Sequence, residues 1–480
     1  MVFDYDLIVI GGGSGGLVAS KLALGLGKSV AIVEKDRLGG ECTNTGCVPS
    51  KALIKCGQVA RDAQNLNKYG LSNQGAIALN TDKVMDHVRS IIQEVYQTHT
   101  PEKLRETGIG VIKGAARFID RNTIEVGGKR VRAKKFIITT GSSPFVPSID
   151  GLDTVDYLTN ENLFELDTLP ESIVIIGGGA IGAEMACALN NLGVKVTIVE
   201  MQDRMLVHED EELVEILQAH LREQGITILT NTAVVQVAKD GERVVITCKD
   251  EKGNQDVLTE KVLVAVGRQP NLDGLNLDGI GVKTNKRGIE TNNKLQTSVP
   301  NIYACGDVVG PYQFSHMAFY QAVIAGRNAL FPFGPKLNYD NVIWCTFTGP
   351  ELAHAGLTEQ EARKKFGDSI QVFRKPYSEL DRSKTDDTMV GLGKFICDKS
   401  GRLIGVQILG ARAGEVIHEV QLGKYYNIKF AKFYNVIHAY PTYSELVWHA
   451  ARMAYVEGLK NHPVVKIANK ISGLFRSKKK

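Results

Sequence analysis

The chain has 480 residues, 43% of them hydrophobic and 23% charged, the composition of a folded globular protein long enough for about three domains. No apolar run reaches the roughly eighteen residues needed to cross a bilayer, and the eight cysteines have no framework spacing, which argues against a disulfide-stapled secreted scaffold. The formal charge of +4 is concentrated in the last 23 residues, which hold seven Lys or Arg and no acid; the rest of the chain is near −3, so no nucleic-acid partner is expected.

Residues 5–10 (YDLIVI) read as a buried strand, and Gly11-Gly12-Gly13-Ser14-Gly15-Gly16 follows at once. A strand this early leaves no room for a signal peptide, and a cytoplasmic location is expected. Gly11, Gly13 and Gly16 match the dinucleotide fingerprint, in which glycines allow a tight turn and let a pyrophosphate approach a helix N-terminus. Residues 17–24 read as that helix. A second strand over 29–33 ends in Glu34, where a carboxylate can bond ribose hydroxyls.

The stretch 39–51, GGECTNTGCVPSK, comes next. Cys42 and Cys47 stand just before a predicted helix, with Pro49 suited to its first position. The helix dipole and Lys51 both favour a thiolate, and a close pair with one thiolate can form a disulfide by attack of one sulfur on the other. A redox-active dithiol is the reading adopted. A zinc site would need a second ligand pair, and none follows; two structural cysteines at a helix start are the plainer alternative.

The first unit then recurs. Residues 172–176 form a strand, Gly177, Gly179 and Gly182 repeat the fingerprint, and the strand over 194–199 ends in Glu200. Each first glycine precedes its acid by 23 residues, and the two units start 166 residues apart. Two dinucleotide sites, one beside a dithiol, point to a flavin and a nicotinamide cofactor sharing electrons. Strands are expected over 135–142, 261–268 and 301–307. After about residue 337 the texture changes, with strands over 388–398 and 403–409 and helices over 359–366, 413–424 and 443–459. The fold class expected is α/β, with two Rossmann-like dinucleotide-binding domains and a C-terminal α+β domain. The domains are 1–150 with 272–338, 151–271, and 339–460, with a basic tail over 461–480.

These motifs resemble those of the pyridine nucleotide-disulfide oxidoreductases, whose members include dihydrolipoamide dehydrogenase, glutathione reductase and mercuric reductase. The resemblance runs from Asp6 to about Leu459 and is most specific over 39–51; Thr140-Gly141, Gly267-Arg268-Gln269-Pro270-Asn271 and Cys305-Gly306-Asp307 fall in family order. It implies that Gly11, Gly13, Gly16, Glu34, Lys51, Gly114, Thr140, Gly141 and Asp307 serve FAD. Gly177, Gly179, Gly182, Glu200 and Gly267 would serve NAD(P)H. Cys42 would exchange with substrate, Cys47 would face the flavin as the charge-transfer thiolate, and Lys51 would pair with Glu184. The C-terminal domain would form a homodimer that completes each site. Glu200 favours NADH, since an acid repels the 2′-phosphate of NADPH, although Arg204 lies near enough in sequence to soften this. No metal site is expected.

The pattern departs from the family near its end. Disulfide reductases of this family carry a proton-shuttling His five residues before a Glu; here the positions are Tyr440 and Glu445, and His438 reads as a packing residue. A phenol with a reference pKa of about 10 is a poor base at neutral pH. Mercuric reductase also has a tyrosine there, and a metal held by thiolates needs no such shuttle. That enzyme delivers metal through a C-terminal cysteine pair, however, and this chain has no cysteine after Cys397. The expected acceptor is a small-molecule or protein disulfide or a thiol-bound metal. The alternatives are dihydrolipoamide oxidation, direct quinone reduction, and a redox sensor that does not turn over. Apolar residues at helical spacing among the lysines of 463–480 allow peripheral membrane contact; a solvated or docked tail is the plainer reading.

Overall fold

The computed structural model describes residues 2–71, 78–461 and 463–467. The membrane-contact expectation for 463–480 therefore falls outside the described residues, apart from 463–467, which are helical. The chain divides into two compact units: Met1–Asp203 with Ile226–Tyr339, and Arg204–Gly225 with Asp340–Lys480.

In the first unit, the strand Tyr5–Ile10 lies between Val30–Glu34 and the long strand Lys129–Ile138, both parallel to it. Gly110–Lys113 extends one edge and Ile302–Ala304 the other. Leu7, Ile8, Val9 and Ile10 are at most 3% exposed, as a parallel sheet covered on both faces requires. Lys129–Ile138 serves two sheets: its first half pairs antiparallel with Thr123–Val126 and its second half with the parallel core. A second parallel sheet runs Thr227–Leu229, Lys195–Val199, Ser172–Ile176, Lys261–Val264. Each sheet feeds a glycine turn and a helix, Ser14–Gly25 in one and Ala180–Asn191 in the other. These are two Rossmann-type folds.

The second unit is built on a five-stranded antiparallel sheet, Ile343–Thr346, Glu351–Gly356, Leu403–Gly410, Leu392–Cys397, Gln371–Pro376, with Ala413–Tyr425 and Glu445–Asn461 as its main helices. The helix Glu211–Glu223, which follows the second fingerprint in sequence, packs on the strand Leu403–Gly410. Charge explains this. Lys394, 2% exposed, reaches Asp210 at 2.6 Å, Glu212 at 2.6 Å and Glu359 at 3.1 Å, and Arg374 also bonds Glu212 and Glu359.

Several sequence expectations shift: the strands expected over 135–142, 261–268 and 301–307 end at Ile138, Val264 and Ala304, and the helix expected from 443 starts at Glu445. The strand expected over 388–398 begins only at Leu392, because the Thr388 N–H bonds the Ser383 carbonyl and closes the preceding helix. The helix expected to start at Pro49 starts at Cys47. Pro49 is then the third helical residue, still among the first four whose N–H groups have no intrahelical partner.

Candidate active site

The two fingerprint turns are the same object built twice. The Glu34 carboxylate accepts the Gly12 N–H at 2.6 Å and the Asp36 N–H at 2.7 Å; Glu200 accepts Gly178 at 2.7 Å and Gln202 at 2.8 Å. Both acids, expected at ribose hydroxyls, thus also lock their own turns and keep lone pairs free. A Cβ on Gly16 would overlap the Gly11 carbonyl, and one on Gly182 the Gly177 carbonyl. The bare helix N-termini behind Gly13 and Gly179, with no side-chain cap, offer N–H groups and dipole to a pyrophosphate. Two dinucleotides of the FAD and NAD(P) type fit this donor set. Gly16→Ala is expected to yield protein with less than about half the wild-type flavin, while Gly182→Ala keeps its yellow colour and raises KM for the nicotinamide roughly tenfold or more. Flavin content by absorbance and NADH kinetics measure the two.

Cys42 sits in the short helix Gly40–Asn44, and Cys47 opens Cys47–Gln64. Asn44 holds the intervening loop through its amide, which donates to the Leu38 and Gly40 carbonyls at 3.1 and 2.8 Å. Both thiols are free. Cys42 is pushed down to about 6, first by the hydrogen bond from Cys47, then by Ser315, Ser14 and the Lys51 charge, against the effect of burial. Cys47, 3.3 Å from Ser315 Oγ, is pushed up, mainly by Cys42. Cys47 is open to solvent, so its hydrogen bond to Cys42, and then that sulfur's charge, are the causes that count rather than desolvation. In the dithiol as it stands, the charge is directed to Cys42, the sulfur expected to exchange with substrate. Lys51 Nζ and Glu184 Oε2 pair at 2.7 Å, with Glu184 buried.

In the reduced protein, iodoacetamide should label Cys42 with a midpoint near pH 6, the rate rising as the thiolate forms. Cys47→Ala removes the largest cause and should move that midpoint upward; peptide mass spectrometry of quenched samples reads both.

Around the dithiol, motif residues such as Glu41, Arg268 and Asp307 meet Ser142 and Asn160, which motif reading passed over. Arg268, partly buried, bonds the Glu41 carboxylate, the Ser142 carbonyl at 3.0 Å and Ser142 Oγ at 2.8 Å; that hydroxyl in turn donates to Asp307 at 2.7 Å. Asn160 donates to Glu41 at 2.8 Å. Burial first, then Asp307 and Glu161, push the Glu41 carboxyl up to about 7 against the pull of Arg268. Thr140 and Gly141 are stitched to Asn271 by three hydrogen bonds of 2.8–3.0 Å. Gly114 donates to the Glu34 carbonyl, and Gly267 accepts from Phe145. Cys305 is fully buried and its thiol pushed up to about 12 by that burial, so it is a core residue.

In the second unit Tyr440 is 70% exposed, and its hydroxyl donates to Asp381 Oδ2 at 3.0 Å. Glu445 accepts the Thr442 N–H at 3.3 Å, at the start of its own helix. His438 has both ring nitrogens engaged, by the Val436 carbonyl at 3.0 Å and Glu419 at 2.9 Å. Among the described residues no group of His, Cys, Asp and Glu is arranged to hold a metal ion, and no helix is long and apolar enough to cross a membrane.

Comparison with known proteins matches residues 5–325 to the model of the pyridine nucleotide-disulphide oxidoreductases and 342–451 to that of their dimerisation domain. A mercuric reductase of Staphylococcus aureus is 35% identical over 444 residues, covering 92% of this chain and 81% of that protein. A dihydrolipoyl dehydrogenase of Bacillus subtilis is 33% identical over 476 residues, covering 95% and 98%. Among solved structures, the Cu(II) complex of the HOCl-induced flavoprotein disulfide reductase RclA from Escherichia coli superposes with a TM-score of 0.84 at 28% identity, covering 94% of this chain and 100% of that one.

Proposed function

The chain belongs to the pyridine nucleotide-disulphide oxidoreductases, FAD-dependent enzymes, and we propose that it passes electrons from NADH to the Cys42–Cys47 pair and on to a small disulfide or a thiolate-bound metal ion. The observation that carries this is the dithiol itself, one thiol held ionised by its neighbour beside the Lys51–Glu184 ion pair. FAD, when bound, supplies the two-electron step between nicotinamide and sulfur.

The residues divide the rest of the work. The turn of Gly11, Gly13 and Gly16 with Glu34 holds the adenosine end of FAD, and Asp307 its ribityl chain. The turn of Gly177, Gly179 and Gly182 with Glu200 holds NADH, the acid repelling a 2′-phosphate. The Cys42 thiolate attacks one sulfur of a disulfide RSSR and expels RS⁻, which takes a proton. Cys47 then attacks Cys42, expels the second RS⁻ and leaves the Cys42–Cys47 disulfide. In sum, NADH, H⁺ and RSSR give NAD⁺ and two RSH. With a soft metal ion, the same sulfurs act as ligands.

Tyr440 favours an acceptor that needs no imidazole proton shuttle. The relatives named mercuric reductase and the Cu(II) complex of RclA are consistent with a thiophilic metal as one such acceptor. The end-to-end match to dihydrolipoyl dehydrogenase supports a second reading, dithiol oxidation in the opposite direction. The dimerisation domain supports a homodimer, and the location proposed is cytoplasmic, with membrane contact of the tail as an addition.

Anaerobic titration with NADH and NADPH tests the proposal. A long-wavelength absorbance band at two electrons, reached with NADH in preference to NADPH, is expected, followed by turnover with disulfides, mercuric or cupric ion. Bleaching without that band, with turnover indifferent to thiol alkylation, overturns the dithiol route in favour of quinones. Faster turnover with dihydrolipoamide and NAD⁺ selects the second reading.

A further inference from the structure

The family pattern that this chain resembles pairs a proton-shuttling histidine with the glutamate five residues on. Here that glutamate is otherwise employed: Glu445 accepts the Thr442 N–H, and it makes no hydrogen bond to Tyr440. A different carboxylate has taken the tyrosine. Tyr440 donates its only proton to Asp381 Oδ2 at 3.0 Å, while Lys384 sits 3.2 Å from the other carboxylate oxygen.

We infer that Asp381 is the positioning residue of Tyr440, accepting the phenol proton so that the oxygen's lone pairs are turned outward to the electron acceptor. The inference rests on the proposed function, with Tyr440, at the position of the family's shuttle histidine, facing that acceptor, and it adds a residue that sequence spacing does not reveal, since the two lie 59 positions apart.

The helix that carries Asp381 is built to hold it still. Leu380 and Ser383, on either side of Asp381, are 1% and 0% exposed, so the helix Asp381–Thr385 is pinned in the core of its unit. A second brace lies beside it: Tyr443 donates to Asp386 at 2.9 Å and shares a 2.8 Å contact with Thr388, while Arg382 bonds the same Asp386 oxygen at 2.7 Å. The segment from Tyr440 to Tyr443 is therefore held to this helix by two phenol–carboxylate bonds, one exposed and one partly buried.

The charges around the pair decide what it can do. Tyr440 and Lys384 hold the Asp381 carboxyl below its ordinary range, with His449 adding slightly; Asp381 first, and Glu445 last, hold the Tyr440 phenol above its own. Neither group takes up or gives up a proton near neutrality. The pair orients and polarises an oxygen, and does not shuttle. A histidine in its place would add an ionisation near about 6.5. Acceptor reduction should accordingly show no ionisation from this position between pH 6 and 9, and Tyr440→His should introduce one.

The test uses the flavin-loaded enzyme labelled with 3-fluorotyrosine, the Tyr440 signal being assigned by its loss in Tyr440→Phe. In Asp381→Ala and Asp381→Asn the Tyr440 fluorine resonance is expected to titrate at lower pH than in the parent. Acceptor kcat/KM should fall about tenfold in Asp381→Ala and recover to within about threefold in Asp381→Asn, which keeps an accepting oxygen. Asp381→Ala should cost nothing further in the Tyr440→Phe background. An unmoved Tyr440 titration, or an equal loss in that background, overturns the inference. A shifted titration with parental acceptor turnover in Tyr440→Phe overturns the acceptor-facing reading of Tyr440, and the role of Asp381 with it. Reduction of the dithiol by NADH, measured with no acceptor present, reports separately on the proposed function.

Discussion

Cys42→Ala is expected to lose acceptor reduction by roughly 10³-fold or more, about 4 kcal/mol of transition-state stabilisation, and to remain yellow. The loss is large because on the proposed route this sulfur is the attacking atom, and no neighbour can replace it. Cys47 is pushed up by Cys42 itself. The flavin is retained because every residue assigned to it other than Lys51 lies outside the motif, in the first glycine turn, Glu34, Gly114, Thr140, Gly141 and Asp307. Removing Cys42 also removes the chief cause that holds Cys47 protonated, while Ser315 and Lys51 still pull it down. The variant should therefore develop its long-wavelength band at lower pH than the reduced parent. Stopped-flow reduction by NADH and steady-state turnover with a disulfide separate the two halves. Parental acceptor turnover in Cys42→Ala would falsify the dithiol route.

Much of this site could be read in the chain because its parts are contiguous. Cys42, Cys47 and Lys51 fall within ten residues, and each glycine turn lies within six; spacing alone places them at helix starts. The Rossmann units were readable for the same reason, as strand, turn, helix and acid follow one another. Groups brought in from afar were not. Ser315 meets Cys47 across 268 residues, and Arg268 meets Glu41 across 227; Ser315 lies in no motif, and the motifs that hold Arg268 and Glu41 do not signal that the two pair. Which sulfur of the dithiol ionises more readily depends on such contacts as well: Ser315 and Lys51 act on both sulfurs, and Ser14 on Cys42. The helix Glu211–Glu223 looked like part of the second dinucleotide domain because it follows it. Its cation, Lys394, comes 184 residues after Asp210.

That cation carries the second large effect. Lys394→Met is expected to destabilise the second unit by about 3–5 kcal/mol, because it leaves Asp210, 4% exposed, as a buried carboxylate short of a counter-charge, while Glu359 keeps Arg374 and Arg363. A unit of this size should then melt roughly 10 °C lower. The exposed pair Lys83–Asp86 is the control: Lys83→Met should leave the melting temperature unchanged. The pH dependence has a definite sign on each side. Burial alone would lower Lys394, but bonds to Asp210 and Glu212 outweigh it and raise it; that contribution is present below the ordinary lysine value of 10.5 and is lost as pH rises through the raised one. Burial alone would raise Glu212 and Glu359, but Lys394 with Arg374 and Arg363 outweighs it and lowers both. Their contribution is present above the ordinary glutamate value of 4.5 and is lost as pH falls through the lowered ones. Between those limits the network should be at full strength, and the gap between parent and Lys394→Met in urea midpoint should be widest there. Asp210→Leu added to Lys394→Met should recover part of the loss, since one stranded charge is removed. A gap that does not narrow at either pH extreme would mean that Lys394 acts by filling space rather than by its charge.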